Sequence, residues 1–183
     1  DYAGEVRRLN RRAEAPDAVR ETVAGVIREV RERGDAALVE LTAKFDGARL
    51  TPQELRVPDH ELQEAWCQLD PRVREAMEAS RRNVATFAHQ SLRKDWHMTN
   101  EQGAEVGEVF HAFDRVGVYV PGGTAPLVST VLMTVTLAAA EGCSEIVVCT
   151  PCGKDGTVNP NLLAALQLAG ATEVYRVGGA QAV

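Results

Sequence analysis

Apolar residues at Val19, Val23, Val26, Ile27 and Val30 keep the 3.6-residue rhythm of a helix. Asp17 is suited to cap its start, and Gly34 to stop it. A second short helix is predicted over 35–45, with Leu38, Leu41 and Phe45 turned inward and Asp46-Gly47 ending it, so that the two form a helical hairpin. After an extended stretch over 50–58, Leu62, Ala65, Trp66 and Leu69 mark a third helix. Asp70-Pro71 opens a fourth, a capping acid followed by proline at the first helical position. Its apolar stripe, Val73, Met77, Ser80, Val84 and Phe87, predicts one narrow buried face over about four turns.

The pattern weakens over 92–113, where the residues Asn100, Glu101, Gln102 and Gly103 form a plausible turn between extended segments 95–98 and 105–113. From Asp114 the character changes. Short Val- and Ile-rich runs at 116–120, 146–149 and 174–177 alternate with helical patterns at 129–142 and 159–170, each ended by glycine. Strand-helix-strand units of this length require parallel pairing with right-handed crossovers. The predicted fold class is therefore α/β: a helical N-terminal segment with a hairpin (1–113), then an incomplete Rossmann-like parallel sheet of βαβαβ order (114–183). The first crossover helix is apolar almost all round, which predicts cover on both sides. A half-built sheet leaves an edge and that helix exposed, which predicts aggregation or tight self-association.

Composition narrows the range of partners. A chain of 183 residues with 45% hydrophobic positions can bury a proper core. Net charge −6 speaks against nucleic acid as a partner. The basic cluster Arg7, Arg8, Arg11 and Arg12 is flanked by Glu5 and Glu14 and reads as a solvated arm. No apolar run is long enough to span a bilayer and no secretory signal is visible, so a soluble cytoplasmic protein is expected. Cys67, Cys143, Cys149 and Cys152 are expected as reduced thiols.

A doubly wound sheet binds ligands at the carboxyl ends of its strands. The turns there are Pro121-Gly122-Gly123, then Thr150 to Gly153, then Gly178 to Gln181. Glycines let the backbone approach a ligand, and the helix that follows favours anionic groups. The G-x-G-x-x-G fingerprint is absent, and the second strand ends in Cys149-Thr150 where an acid would hold an adenine ribose. The Cys149-x-x-Cys152 spacing lacks the context of a redox or zinc pair and is read as structural. His60, His89, His97 and His111 are scattered and form no ligand pattern. Spacing alone assigns no catalytic residue.

Residues 115–123, RVGVYVPGG, continuing as TAPLVSTVLM to Met133, together with 174–183, VYRVGGAQAV, closely resemble histidinol dehydrogenase. The helical part agrees through GDAAL from Gly34, FDG from Phe45 and NVATF from Asn83. The resemblance implies the first two-fifths or so of a zinc-dependent homodimer that oxidises L-histidinol to L-histidine through the aldehyde with two NAD+. It implies that Tyr119 and Gln181 contact NAD and that Ser129 lies near the substrate. It places the zinc ligands and the glutamate-histidine pair for proton transfer beyond Val183, so the 183 residues alone are expected to be inactive. Tyr119 as a packed strand aromatic, Gln181 as a first-turn helix residue and Ser129 as an N-cap are the structural alternatives. Ala88 stands where the family often has histidine, and Gly107-Glu108 where it has Gly-Gln. A paralogous dehydrogenase of another amino or hydroxy alcohol, or a non-catalytic binding or assembly fragment, are the alternative functions.

Overall fold

The computed structural model describes residues 2–9, 16–122 and 127–183, the side chains of 6–9 excepted. Arg11, Arg12 and Gly123 thus lie outside the described residues, as do the side chains of Arg7 and Arg8. In chain order the elements are α1 (Tyr2–Leu9), α2 (Asp17–Arg33), α3 (Asp35–Phe45), a 3-10 turn (Pro52–Glu54), α4 (Asp59–Gln68) and α5 (Pro71–Ser91). An antiparallel hairpin follows, β1 (Trp96–Thr99) and β2 (Glu105–Glu108). Then come β3 (Arg115–Tyr119), α6 (Val128–Ala140), β4 (Glu145–Thr150), α7 (Pro160–Ala169) and β5 (Glu173–Arg176). The three last strands form a parallel sheet in the order β3-β4-β5. The α/β class and the βαβαβ order are as the apolar periodicity predicts.

Several helix ends follow from local chemistry. Asp70 caps α5 by accepting from the N–H groups of Arg72 and Val73, at 2.8 and 3.3 Å. Asn159 caps α7 through the Asn161 N–H at 2.9 Å, with Pro160 at the first helical position. Asn100 turns the hairpin by accepting from Gln102 and Ala104, and Gly103 takes the positive φ of 84° that the turn demands. Asp17 does not cap α2: Pro16 holds that position and Asp17 is the first helical residue, where its charge still suits the helix dipole.

The sheet is covered on one face. Val116, Val118, Ile146, Val148 and Val174 share that face, and they pack with Val131 and Val135 of α6, Leu162 and Leu166 of α7, Leu62 and Ala65 of α4 and Met77 of α5 in one core. This core thus draws on residues either side of Asp114. The other face carries Gly117, Tyr119, Val147, Cys149 and Tyr175, all exposed or half-buried. The two sheet edges differ as well. The outer edge of β5 is occupied by residues 55–57, which pair antiparallel with it through Val57 N–H to the Val174 carbonyl (2.8 Å) and Arg176 N–H to the Leu55 carbonyl (2.7 Å). The outer edge of β3 pairs with no strand among the described residues.

Five sequence readings are corrected by this packing. Phe45 is 51% exposed at the end of α3, while Ala37, Leu41 and Thr42 supply that helix's buried side. On α2 only Val26 is buried; Val19, Val23 and Ile27 face outward. The buried line of α5 is rotated from the apolar stripe: Met77 and Ala88 are buried, while Val73, Ser80 and Phe87 are exposed. Arg74 takes the inward place beside Val73, because its guanidinium donates to the last carbonyls of α4, Trp66 at 2.7 Å and Cys67 at 3.1 Å, and stacks 4.9 Å from the Trp66 ring. Helix α6 begins at Val128 after Leu127, so Ser129 is not its cap. Nor is α6 covered all round, since Met133 is 60% exposed.

Candidate functional site

The three parallel strands deliver three loops to one end of the sheet. After β3, Val120 is buried and its N–H donates to the Cys149 carbonyl at 2.9 Å, which holds Pro121 and Gly122 beside the β4 loop. Glycine is required at 122 because a Cβ there would lie 2.4 Å from Pro151 Cγ. The β4 loop folds on itself: Gly153 N–H donates to the Thr157 carbonyl at 2.8 Å, and Asp155 Oδ1 accepts from the Thr157 N–H and hydroxyl at 3.0 and 2.8 Å. Those bonds hold the Asp155 carboxyl below its ordinary range. After β5, Gly179 adopts φ of 63° and turns the chain towards Gln181.

The loops after β3 and β4 and the end of α3 line a cleft of about 660 Å³. Phe45 and Asp46 line one side, with Gly122, Pro151 to Asp155, Thr157 and Asn159 around the rest. Asp46 Oδ2 is shut off from solvent without a hydrogen-bond donor, and burial pushes the carboxyl up from its ordinary value. Burial, reinforced by the charge of Asp46, also pushes the Cys152 thiol up, and burial alone does so for Cys149. Neither thiol is poised as a thiolate nucleophile.

Tyr119 stands at the end of β3 on the open face, 38% exposed, and its hydroxyl accepts from the Gly179 N–H at 3.3 Å. The structure so joins the end of the first strand to the turn after the third, across β4. Gln181 is 7% exposed in that turn, and its Nε2 has no partner. A hollow of about 180 Å³ lies against it, lined also by Phe45, Val23 and Val26. Ser129 is exposed in the first turn of α6 and forms no side-chain hydrogen bond among the described residues, so nothing there ties it to the other two.

In the sequence Phe45-Asp46 reads as a helix end and as part of the FDG motif, with no role at a site. A detectable signal was present, because an acid at a helix C-terminus opposes the dipole and calls for a reason. The donors present suit a polar organic ligand: a cleft at the strand ends, an unpaired buried carboxylate oxygen and an unpaired buried amide. They do not suit zinc. Among the described residues no group of three or more His, Cys, Asp or Glu side chains could hold a metal ion, and all four histidines are exposed. No helix among them is long and apolar enough to cross a membrane.

A family model described as histidinol dehydrogenase matches residues 9–183. The chain is 40% identical over 181 residues to a histidinol dehydrogenase of Parasynechococcus marenigrum (strain WH8102), covering 98% of this chain and 41% of that protein. A histidinol dehydrogenase of Methanothermobacter thermautotrophicus is 43% identical over 167 residues, 91% of this chain and 39% of that one. The crystal structure of histidinol dehydrogenase from Elizabethkingia anophelis superposes with a TM-score of 0.85 at 31% identity, over 94% of this chain and 39% of that chain. The chain thus spans about two-fifths of the length of the curated relatives it matches. With the shared parallel sheet and this coverage together, the chain belongs to the histidinol dehydrogenase family.

Proposed function

We propose that this chain is the nucleotide-binding part of an enzyme that oxidises L-histidinol to L-histidine through the aldehyde with NAD+, in the last steps of histidine biosynthesis. The observation that carries the reading is the meeting of Tyr119 with the Gly178-Gly179 turn at the strand ends, beside an open cleft, in a chain of this family. NAD when bound would accept hydride from the substrate. This chain's part is to bind and orient it. Tyr119 offers an exposed aromatic face and a hydroxyl at the end of β3, Gln181 an amide whose donor is unused, and Ser129 a hydroxyl at the start of α6 towards the substrate.

Zinc and the proton-transferring glutamate-histidine pair belong, on this reading, to the part of the family sequence that follows position 183, and the full-length enzyme is a cytoplasmic homodimer. The same reading divides the chain near Asp114 into a helical segment and the first half of the cofactor domain. Titration calorimetry of NAD+ into the 183-residue chain tests the binding role. Micromolar to millimolar binding, weakened about tenfold by Tyr119→Ala or Gln181→Ala, is the expected result; no heat with any nucleotide would overturn it. Measurable histidinol turnover by the same chain, its mass verified, would overturn the assignment of the catalytic groups elsewhere.

A further inference from the structure

The hairpin of β1 and β2 is exposed at every residue, and among the described residues its strands pair only with each other. Its register, Trp96 opposite Glu108 and Met98 opposite Val106, puts Trp96, Met98 and Val106 on one face, where they are 48%, 52% and 44% exposed. The Trp96 indole N–H donates to Glu108 at 2.9 Å and holds the ring over that face.

A two-stranded ribbon has two free edges, and these are not alike. Asn100 N–H donates to the Ala104 carbonyl at 2.9 Å, so by alternation Met98 and Trp96 also turn their backbone groups towards β2. The N–H and C=O groups of His97 and Thr99 therefore point out from β1, and those of Glu105 and Gly107 out from β2. Strand β2, EVGE, carries two carboxylates and no cation, so a second copy paired along it would gather four like charges. The β1 edge instead runs from Arg93 and Lys94 at one end to Glu101 at the other. Arg93 is set 5.7 Å from the Phe110 ring, and neither it nor Glu101 forms an ion pair among the described residues.

We propose that β1 pairs with β1 of a second copy of this chain, antiparallel about a two-fold axis at His97, giving a four-stranded sheet with the β2 strands outermost. Outward groups meet outward groups only in registers that set odd-numbered residues against odd-numbered ones. With the axis at His97, that residue exchanges both backbone bonds with the partner's His97. Trp96 then lies beside the partner's Met98, and Arg93 faces the partner's Glu101 at both ends. Moving the axis to Met98 would set Asp95 against the partner's Glu101, and moving it to Trp96 would put Met98 beside the partner's Lys94. The contact is self-complementary and closes at two copies, since the edges left over are the acidic ones. It needs no nucleotide, so it stands or falls apart from the cofactor reading.

Sedimentation velocity of the 183-residue chain over a concentration series tests it, with circular dichroism to verify folding. The wild type is expected to dimerise with a Kd in the micromolar range, as suits a small interface. His97→Pro removes an outward N–H without touching the ladder between β1 and β2, and should weaken dimerisation about tenfold or more. Glu105→Pro does the same to the other edge and should leave the dimer unchanged. Arg93→Glu and Glu101→Arg each place like charges at both ends and should weaken it about fivefold or more, whereas the double variant returns to within about threefold of wild type. Where His97→Pro loses its fold, the charge exchange decides alone. A monomer at every concentration, an open series of larger species, or single charge variants that the double variant does not rescue overturns the proposal. A dimer unchanged by a folded His97→Pro overturns it too, and assigns self-association to the β3 edge or a helix face.

Discussion

Two charged side chains stand near the carboxyl end of β5 and are treated in opposite ways. Arg176 is 7% exposed and its terminal nitrogens are fully engaged: Nη1 donates to the Glu54 and Arg56 carbonyls at 2.8 and 3.2 Å, and Nη2 to both oxygens of Glu61 at 2.6 and 2.5 Å. Asp46, turned against Gly178, keeps an oxygen with no donor. A charge buried for architecture comes with its partners, since an unpaired one costs several kcal/mol. The charge without a partner is the one that the fold alone does not explain, and it is the one that borders the cleft.

The largest expected effect breaks the ion-paired member, Arg176, whose terminal nitrogens are engaged although its Nε has no partner. Arg176→Met leaves the one-third-exposed Glu61 carboxylate and two backbone carbonyls without their donor, and should lower stability by about 2–3 kcal/mol in urea unfolding. A loss under 1 kcal/mol would mean that the clamp between residues 54–61 and β5 is incidental. Arg74→Met removes a partly exposed guanidinium from the last carbonyls of α4 and from Trp66, and should cost about 1.5 kcal/mol by the same measurement.

The opposite sign is expected at Asp46. Asp46→Asn removes a charge from the wrong end of a helix and should raise stability by about 0.3–1 kcal/mol at neutral pH. The sign of its pH dependence follows from burial. Burial raises the folded carboxyl above its ordinary value of 3.8, so the folded chain holds that proton more tightly than the unfolded one. The destabilising charge is present above the raised value and is lost as pH falls through it. The advantage of the variant over wild type should therefore shrink on acidification from neutral pH; a constant gap in parallel thermal melts would refute this. Tyr119→Phe is the smallest change: it frees the Gly179 N–H from a 3.3 Å bond near the surface and should cost about 0.5 kcal/mol. On the proposed function its effect falls on NAD+ affinity instead.

Much of the fold was legible in the chain because local rules and packing agree there. The Asp70-Pro71 cap, the Asn100 to Gly103 turn and the three Val- and Ile-rich strands stand where their chemistry puts them. The inward faces of the helices were less legible. Period-counting treats an arginine as outward and a phenylalanine as inward, whereas Arg74 turns in to reach the open carbonyls of α4 and Phe45 stays out beside the cleft. The cleft itself was half legible: its glycine turns are marked in sequence. Asp46 was not, since it reaches the end of β4 from an element roughly a hundred residues earlier in the chain, and spacing carries no trace of that approach.

The strip at residues 55–57 has a directional consequence. By satisfying the outer carbonyls and amides of β5, it makes the sheet one-ended: an added strand, from whatever source, has a single docking line, along β3. Tyr119 ends that very strand, so whatever extends the sheet settles next to the tyrosine that holds the Gly179 turn. Growth of the sheet therefore brings new chain beside the side chain that bridges its first and third strand ends.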